Sequence, residues 1–135
     1  MKEWIRRWWP TILMMTLIFM ASGTSGSSLP RFGRWDVFVK KGGHLAGYAL
    51  LAVAFLHGLA SGRAFSRRQA LLAVLLAALY AVTDEFHQGF TPGRSPSTED
   101  VAIDTLGATI GLLVWARFNK APVPAAHSDD KDLQR

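Results

Sequence analysis

The chain has 135 residues, of which 50% are hydrophobic and 19% are charged, a length that allows one domain and not two. It contains no cysteine, which excludes disulfide bonds and thiolate chemistry. The formal net charge of +5 would suit nucleic-acid binding. However, the basic residues lie between and outside the apolar segments, where membrane topology places them, so we expect no nucleic-acid partner.

Four apolar segments follow one another along the chain, and each indicates a helix in lipid. A hydrocarbon core about 30 Å thick needs roughly 20 helical residues, and the last three segments nearly reach that length. The first is shorter. The stretch from Leu71 to Tyr80 is apolar on all sides, unlike a helix of a soluble bundle. The segments are Trp8–Ser22, Gly43–Ala60, Gln69–Phe86 and Val101–Phe118.

The fold class that we predict is all-α, an integral membrane bundle of four transmembrane helices with both termini cytoplasmic. Basic residues mark the cytoplasmic side, and the segments that carry them share one side of a four-span protein. They are Lys2, Arg6, Arg7, Arg63, Arg67, Arg68, Arg117 and Lys120. We expect residues 1–118 to form the transmembrane domain and residues 119–135 to be a disordered cytoplasmic tail, whose apolar content is too low for independent folding.

The first apolar segment has a second interpretation, as a cleavable signal peptide. Basic residues precede it and small residues, Ala21 to Gly23, follow it, as at a cleavage site. Three tryptophans argue against cleavage, because they are typical of the aromatic belt at a membrane surface. The basic residues are Lys2, Arg6 and Arg7, and the tryptophans are Trp4, Trp8 and Trp9. We expect the segment to be retained as the first span.

The third segment runs into a cluster of polar and ionisable residues. Such groups are costly at membrane depth, so they usually face the bundle interior, find partners and mark function. In an antiparallel bundle, the start of the second helix, the end of the third and the start of the fourth lie at one level, near the outer face. The residues expected to converge there are Lys41, His44, Tyr48, Asp84, Glu85, His87, Gln88, Arg94, Ser97, Asp100 and Asp104.

Helical spacing places several of these residues on shared faces. Lys41, His44 and Tyr48 are three and then four residues apart, so they share one face of the second helix. Asp84 and Gln88 are four residues apart on the third. Each set therefore lies on one face of its own helix.

Asp104 is in register with Gly107 and Gly111, and small residues at this spacing let helix backbones approach closely. Asp104 should therefore point into the bundle, where an unpaired charge is costly. An ion pair that only fixes helix packing would also explain its position. The candidate partners are Lys41, His44 and Arg94.

The loop before the fourth helix has recognisable turn and cap residues. Thr91-Pro92-Gly93 predicts a turn, and Ser97 followed by Asp100 predicts a helix N-terminus capped by the serine. Arg94, held on a rigid turn beside that terminus, is suited to anion binding. The alternative is a salt bridge from Arg94 to Asp84, Glu85 or Asp100.

Two motifs resemble those of the VanZ-like family. Lys41-Gly-Gly-His44-Leu-Ala-Gly-Tyr48 is similar to its K-x-x-H-x-x-x-Y element. A second pattern, D-E-x-x-Q, then P-G-R, D-V and D-x-x-G, follows with the same order and spacing. Its residues are Asp84-Glu85-Phe86-His87-Gln88, Pro92-Gly93-Arg94, Asp100-Val101 and Asp104-Thr105-Leu106-Gly107, with Gly111 beyond. The resemblance implies a small multi-pass protein of the bacterial plasma (inner) membrane.

The namesake of the family is associated with low-level resistance to the glycopeptide teicoplanin. We therefore predict a protein of cell-envelope protection or teicoplanin-type glycopeptide resistance, with an outward-facing polar site. The site would bind an anionic lipid headgroup, a cell-wall precursor or a glycopeptide, with the cations holding the anionic group. The predicted binding residues are Lys41, His44, Tyr48, Asp84, Glu85, Gln88, Arg94, Asp100 and Asp104.

Two other functions stay open. One is an intramembrane hydrolase or transferase of lipid-linked envelope substrates, in which His44, Asp84, Glu85 or His87 would be catalytic. No nucleophile motif supports it, so we favour a protein that is not an enzyme. The other is a structural module that binds a partner, including a second copy, through glycines spaced four apart. Those glycines are Gly43, Gly47, Gly58, Gly62, Gly107 and Gly111. Two histidines without close ligand spacing predict no metal, and we expect no cofactor.

Overall fold

The protein is represented by a computed structural model that describes residues 2–24, 33–61 and 64–119. These residues form four α-helices and a 3₁₀ turn, with no strand among them. The helices are α1 (Lys2–Ser22), α2 (Asp36–Ala60), α3 (Arg67–Gln88) and α4 (Thr98–Phe118), and the turn is Gly33–Trp35. The predicted all-helical class is confirmed. Gly62, Arg63, Lys120 and the tail, about which the sequence made predictions, lie outside the described residues.

Three of the helices are long and apolar enough to cross a membrane: α2 with the turn before it, α3 and α4. α1 has 21 residues, but it is not among them. Its first two turns carry Lys2, Glu3, Arg6 and Arg7, which lower its hydropathy. The three spans indicate a helical membrane protein.

The helices extend beyond the apolar segments that predicted them. α2 begins at Asp36 rather than Gly43, and α3 continues through Gln88. The N-terminus of α3 is set by a capping box, in which Ser66 Oγ accepts from the Gln69 amide at 3.2 Å and the Gln69 side chain accepts from the Ser66 amide at 2.8 Å. Hydropathy marks where a helix contacts lipid, whereas caps decide where it begins.

α2 packs against each of the other three helices, most extensively against α4. The side of α3 that faces the core is a row of alanines four residues apart, and Ala73, Ala77 and Ala81 are all fully buried. They meet the large buried side chains of α2, among them Leu51 and Leu56. Small residues on one helix and large ones on the other bring the backbones close together, which is the usual source of helix association in lipid.

α4 lies still closer to α2, because Gly107 and Gly111 face it. A Cβ atom on Gly107 would lie 2.9 Å from the Cα of Leu45 and nearer still to its carbonyl oxygen. A Cβ on Gly111 would lie 2.7 Å from the Cα of Ala49. The predicted close approach of these glycines is therefore made within the chain. By contrast, a Cβ on Gly43 would meet no atom within 4 Å.

At the opposite end of the bundle from Asp84, α1 and α3 cap the last carbonyl groups of α2. The Arg7 guanidinium donates to the carbonyl oxygens of Gly58 and Leu59. Gln69 Nε2 also donates to Leu59 O, at 2.9 Å. Helix ends leave such carbonyls without partners inside the helix, so these bonds satisfy them and attach α1 to α2.

Candidate functional site

The end of α1, the end of α3 and the starts of α2 and α4 meet at one end of the bundle. Ser22 Oγ donates to Asp84 Oδ2 at 2.8 Å, which joins α1 to α3. His44 Nδ1 lies 3.1 Å from Asp104 Oδ1, which joins α2 to α4. We call the buried polar residues at this level the polar layer. They are Ser22, Tyr48, Asp84, Glu85, Gln88, Thr91 and Asp104, and the layer also includes the half-buried His44, which pairs with Asp104.

Asp84 is the centre of the first half of the layer and is only 3% exposed. Gln88 Nε2, one helical turn away, donates to the same Oδ2 at 3.1 Å. Oδ1 of Asp84 has no hydrogen-bond partner within the described part of the chain. Sequence reasoning missed Ser22, which it considered only as part of a cleavage site. The signal that would have found it is its place at the end of the first apolar segment, level with Asp84.

Asp104 and His44 form the second half of the layer. Asp104 is 0% exposed, and its two oxygens lie 3.1 and 3.3 Å from His44 Nδ1. Of the three partners that the sequence predicted for Asp104, the structure shows His44. The His44 side chain is 20% exposed, so the pair is accessible from one side.

Glu85 links the layer to the loop. It is 4% exposed, and its Oε2 accepts from the backbone amide of Ser97 at 2.7 Å. Ser97 Oγ in turn accepts from the Asp100 amide at 3.3 Å, so the predicted N-cap of α4 is confirmed. In an ordinary capping box a side chain of the same helix would bind the cap amide. Here a carboxylate of α3 does so and fixes the start of α4.

Arg94 is positioned by the end of α1. Its Nη1 donates to the carbonyl oxygen of Ser22 at 3.2 Å, and Thr91 Oγ1 donates to the same oxygen at 3.3 Å. The turn before Arg94 has Gly93 at φ +76°, a conformation that favours glycine. Between residues 2 and 119, apart from the gaps, Arg94 forms no ion pair. The predicted alternative of a salt bridge to Asp84, Glu85 or Asp100 is wrong, because the guanidinium reaches a backbone carbonyl instead.

Three other predicted residues lie at the edge of the layer or outside it. Lys41 forms an ion pair with the exposed Glu99. His87 stacks on Phe19 of α1 with a centroid separation of 4.2 Å. Asp100 is half-buried and lines a cavity near the loop.

Two cavities open onto the polar layer. The first has a volume of about 280 Å³ and lies between α1 and α2, with Asp84 and Arg94 at its polar end. The second, of about 300 Å³, lies under the loop. His44, Arg94 and Lys40 line both. The sequence did not single out Lys40, which also pairs with Asp36 at 2.7 Å. The other residues of the first cavity are Ile18, Ala21, Ser22, Val39, Gly43, Gly47 and Tyr48.

Residues 7–119 match the family described as VanZ/LLP1. The chain belongs to the VanZ/LLP1 family. The match covers α2, α3 and α4 and all but the start of α1, so the resemblance seen in the two motifs is confirmed. No curated protein and no solved structure matches this chain significantly. The roles of individual residues in this VanZ/LLP1 protein must therefore come from its geometry.

That geometry places buried groups with incomplete hydrogen bonding beside the first cavity, among the described residues. The Tyr48 side chain is 1% exposed, and its hydroxyl group interacts with the Asp84 carboxylate, although neither this hydroxyl nor Asp84 Oδ1 forms a hydrogen bond of ordinary geometry within the described residues. Both residues line the first cavity together with the Arg94 guanidinium. Buried polar atoms are almost always fully paired, so a polar ligand in the cavity could complete the hydrogen bonding of Tyr48 and Asp84. His44, Glu85 and Asp104 could also hold a metal ion, since potential ligand atoms of all three lie close together.

Proposed function

We propose that this VanZ/LLP1 protein is a plasma-membrane protein of bacteria that binds an anionic headgroup in its outward-facing polar layer. The headgroup belongs to a membrane lipid or a lipid-linked cell-wall precursor, and binding serves cell-envelope protection. The observation that supports the proposal is the first cavity, which is lined by the Arg94 guanidinium and by the buried Tyr48 and Asp84 side chains. Resistance to teicoplanin-type glycopeptides follows from the family resemblance and would be one outcome of such binding.

The shape of the first cavity supports a lipid-linked ligand. Drug-sized ligands fill about 300–1,000 Å³, so a cavity of about 280 Å³ suits a headgroup and not a whole glycopeptide. Its walls towards the lipid are apolar, formed by Ile18 and Ala21 of α1 and by Val39, Gly43 and Gly47 of α2. The two glycines leave space between the helices, because a Cβ on Gly43 meets nothing within 4 Å. An acyl or prenyl chain can lie against these walls while its phosphate reaches Arg94.

Replacing Arg94 with glutamine is expected to weaken headgroup binding about ten- to a hundred-fold. A hydrogen bond to a charged group contributes about 1.5–3 kcal/mol, and the glutamine amide keeps a donor but loses the charge. Binding is measured on purified protein with two soluble probes, a short-chain phosphatidylglycerol and a short-chain prenyl pyrophosphate. The probe that binds more tightly identifies the source of the headgroup.

The matched control is Arg34→Gln. Arg34 is an exposed arginine in the 3₁₀ turn at the same end of the bundle, and it lines neither cavity. Its replacement should leave both affinities within about two-fold, because an exposed charge acts only at long range and is screened by salt. Equal binding of wild type and Arg94→Gln, or equal binding of a short-chain phosphatidylcholine, would contradict the proposal.

We further propose that α1 is a fourth transmembrane span and that residues 1–118 form one domain with both termini cytoplasmic. A helix of 21 residues is about 30 Å long, which matches the hydrocarbon core. Near its start Arg7 caps the end of α2, and its last residue, Ser22, bonds Asp84. α1 therefore runs the full depth of the bundle. Many of its apolar side chains are exposed, namely Ile5, Ile12, Leu13, Leu17, Phe19 and Met20.

Single cysteines introduced into this cysteine-free chain test the topology. Arg34→Cys and Ser95→Cys should react with a membrane-impermeant maleimide in intact cells. Glu3→Cys and Arg68→Cys should react only after the membrane is permeabilised. All four side chains are exposed, so a difference in labelling reports the compartment. Labelling of both position 3 and position 34 in intact cells would show that α1 does not span, whereas labelling of positions 34 and 95 from opposite sides would end the binding-site proposal as well.

The enzyme alternative is favoured by one observation, the His44–Asp104 pair. A carboxylate that orients an imidazole beside a cavity is the arrangement of a general base. His87 stacks on Phe19 of α1 and is not among the hydrogen-bond partners of this pair in the described residues. Release of a free headgroup or of phosphate from either soluble probe would favour a hydrolase over a binding protein.

A further inference from the structure

We propose that His44, Glu85 and Asp104 bind one divalent transition-metal ion. The three residues come from α2, α3 and α4, and one potential ligand atom from each lies within 4.8 Å of the others. Glu85 and Asp104 are buried, and His44 is half-buried. The sequence predicted no metal because ligands from three separate helices have no local spacing that could reveal them.

The His44–Asp104 distances fit two ligands of one ion. Both oxygens of Asp104 face the same nitrogen, at 3.1 and 3.3 Å. Tetrahedral metal bonds of about 2.0–2.1 Å place neighbouring ligand atoms about 3.3 Å apart. The pair thus already has the separation that a shared ion requires, and the ion would replace the proton of the hydrogen bond, which is released to solvent. A small movement of the Glu85 side chain would bring in the third ligand.

Glu85 supplies the independent indication of a ligand. Only 4% of it is exposed, and its Oε2 is taken by the Ser97 amide. Its other oxygen, Oε1, is buried without a hydrogen-bond partner in the part of the chain that the structure describes. An unpaired oxygen of a buried carboxylate is costly, and metal coordination is one of the few ways to satisfy it.

The site has more acidic than basic buried groups, which favours binding of a cation. Glu85 and Asp104 are two buried acidic groups, and within the described residues His44 is the one basic side chain paired with either. Lys41 pairs with Glu99 instead, and Arg94 donates to a carbonyl oxygen of α1. A doubly charged ion would neutralise these two carboxylates, neither of which forms an ion pair with a lysine or arginine in the described part of the chain.

The types of ligand atom at the site limit which metal ions it would bind. One imidazole nitrogen and two carboxylates favour ions such as Zn²⁺ or Mn²⁺ over Cu⁺, which prefers sulfur ligands. Three protein ligands leave a coordination position open for water or another ligand. His44 lines both cavities, which gives the ion a path of entry. Metal binding of this kind does not depend on the proposed headgroup, and it is tested without lipid ligand.

The test is a titration of purified, chelator-stripped protein with Zn²⁺ and, separately, with Mn²⁺. Calorimetry and metal analysis after dialysis should both give one ion per chain for at least one metal. Glu85→Gln should bind that metal at least about ten-fold more weakly, because a neutral amide is a poor ligand. Glu99→Gln, which removes an exposed carboxylate at the same end of the bundle, should bind it as the wild type does.

A spectroscopic readout and a second variant keep the test decisive. Glu85→Gln retains an oxygen that can accept the Ser97 amide, so its fold should persist, as circular dichroism will show. If it does not fold, His44→Gln takes its place. Co²⁺ bound to the wild type should give visible absorption bands that the variant lacks. Absence of any stoichiometric ion in the wild type, or equal affinity in wild type and variant, would overturn the proposal.

Discussion

Replacing Gly107 with valine is expected to destabilise the bundle by about 3 kcal/mol or more. Even a Cβ at this position would lie 2.9 Å from the Cα of Leu45 and nearer still to its carbonyl oxygen, and valine adds two methyl groups. Overpacking usually costs about 1–3 kcal/mol, and it costs more when the neighbour is backbone that cannot rotate away. Because α2 and α4 form the most extensive helix contact, the whole bundle should loosen. Unfolding by detergent titration, followed by circular dichroism, measures the loss.

The matched control is the same substitution at Gly42. Gly42 is also a glycine within a membrane helix, and a Cβ there meets no atom within 4 Å. Gly42→Val should change the free energy of unfolding by less than about 1 kcal/mol, because valine and glycine have similar helix propensities. If Gly107→Val unfolds at the same detergent concentration as Gly42→Val, the close approach of α2 and α4 is wrong.

These glycines also show how much of the helix packing can be predicted from the sequence. The spacing of Gly107 and Gly111, in register with Asp104, correctly predicted a close helix contact. Gly43 and Gly47 have the same spacing, yet Gly43 has open space and both line a cavity. Spacing defines a helix face but not what lies opposite it. That depends on how the other helices rotate about their axes.

The polar layer, too, could be predicted from the sequence only in part. Antiparallel spans placed the charged ends at one level, so the meeting of Asp84, His44 and Asp104 could be expected from helix order alone. The individual hydrogen-bond and ion-pair partners could not be expected from it. Arg94 bonds a backbone carbonyl, which no side-chain pattern reveals, and Ser22 is a small residue with no motif around it. Such contacts depend on where each side chain lies to within about an ångström. Topology fixes only the depth of a residue in the membrane.

Replacing His44 with leucine is expected to cost about 3–5 kcal/mol of stability. Asp104 is 0% exposed, and His44 is its hydrogen-bonding partner. Removing one member of a buried pair leaves the other charge without compensation, and such changes cost about that amount. The measurement is detergent unfolding in the presence of a chelator, so that no metal ion contributes.

The chain contains its own control for this substitution. Lys41 and Glu99 also join α2 to α4, at the same end of the bundle, but the Glu99 side chain is 70% exposed. Lys41→Leu should cost less than about 1 kcal/mol, because an exposed ion pair contributes little. Equal losses for Lys41→Leu and His44→Leu would show that the burial of Asp104 has no energetic consequence.

The double variant His44→Leu/Asp104→Leu separates two explanations of the loss at His44. If the cost arises from a carboxylate left alone in the interior, removing that carboxylate should restore part of the stability, since an apolar pair can replace a buried ionic one. If the cost arises from lost packing, the second substitution should add to the first. Partial recovery would mean that the pair contributes little to folding as such. The strict placement of His44 and Asp104 would then be explained by what they bind and not by the stability of the bundle.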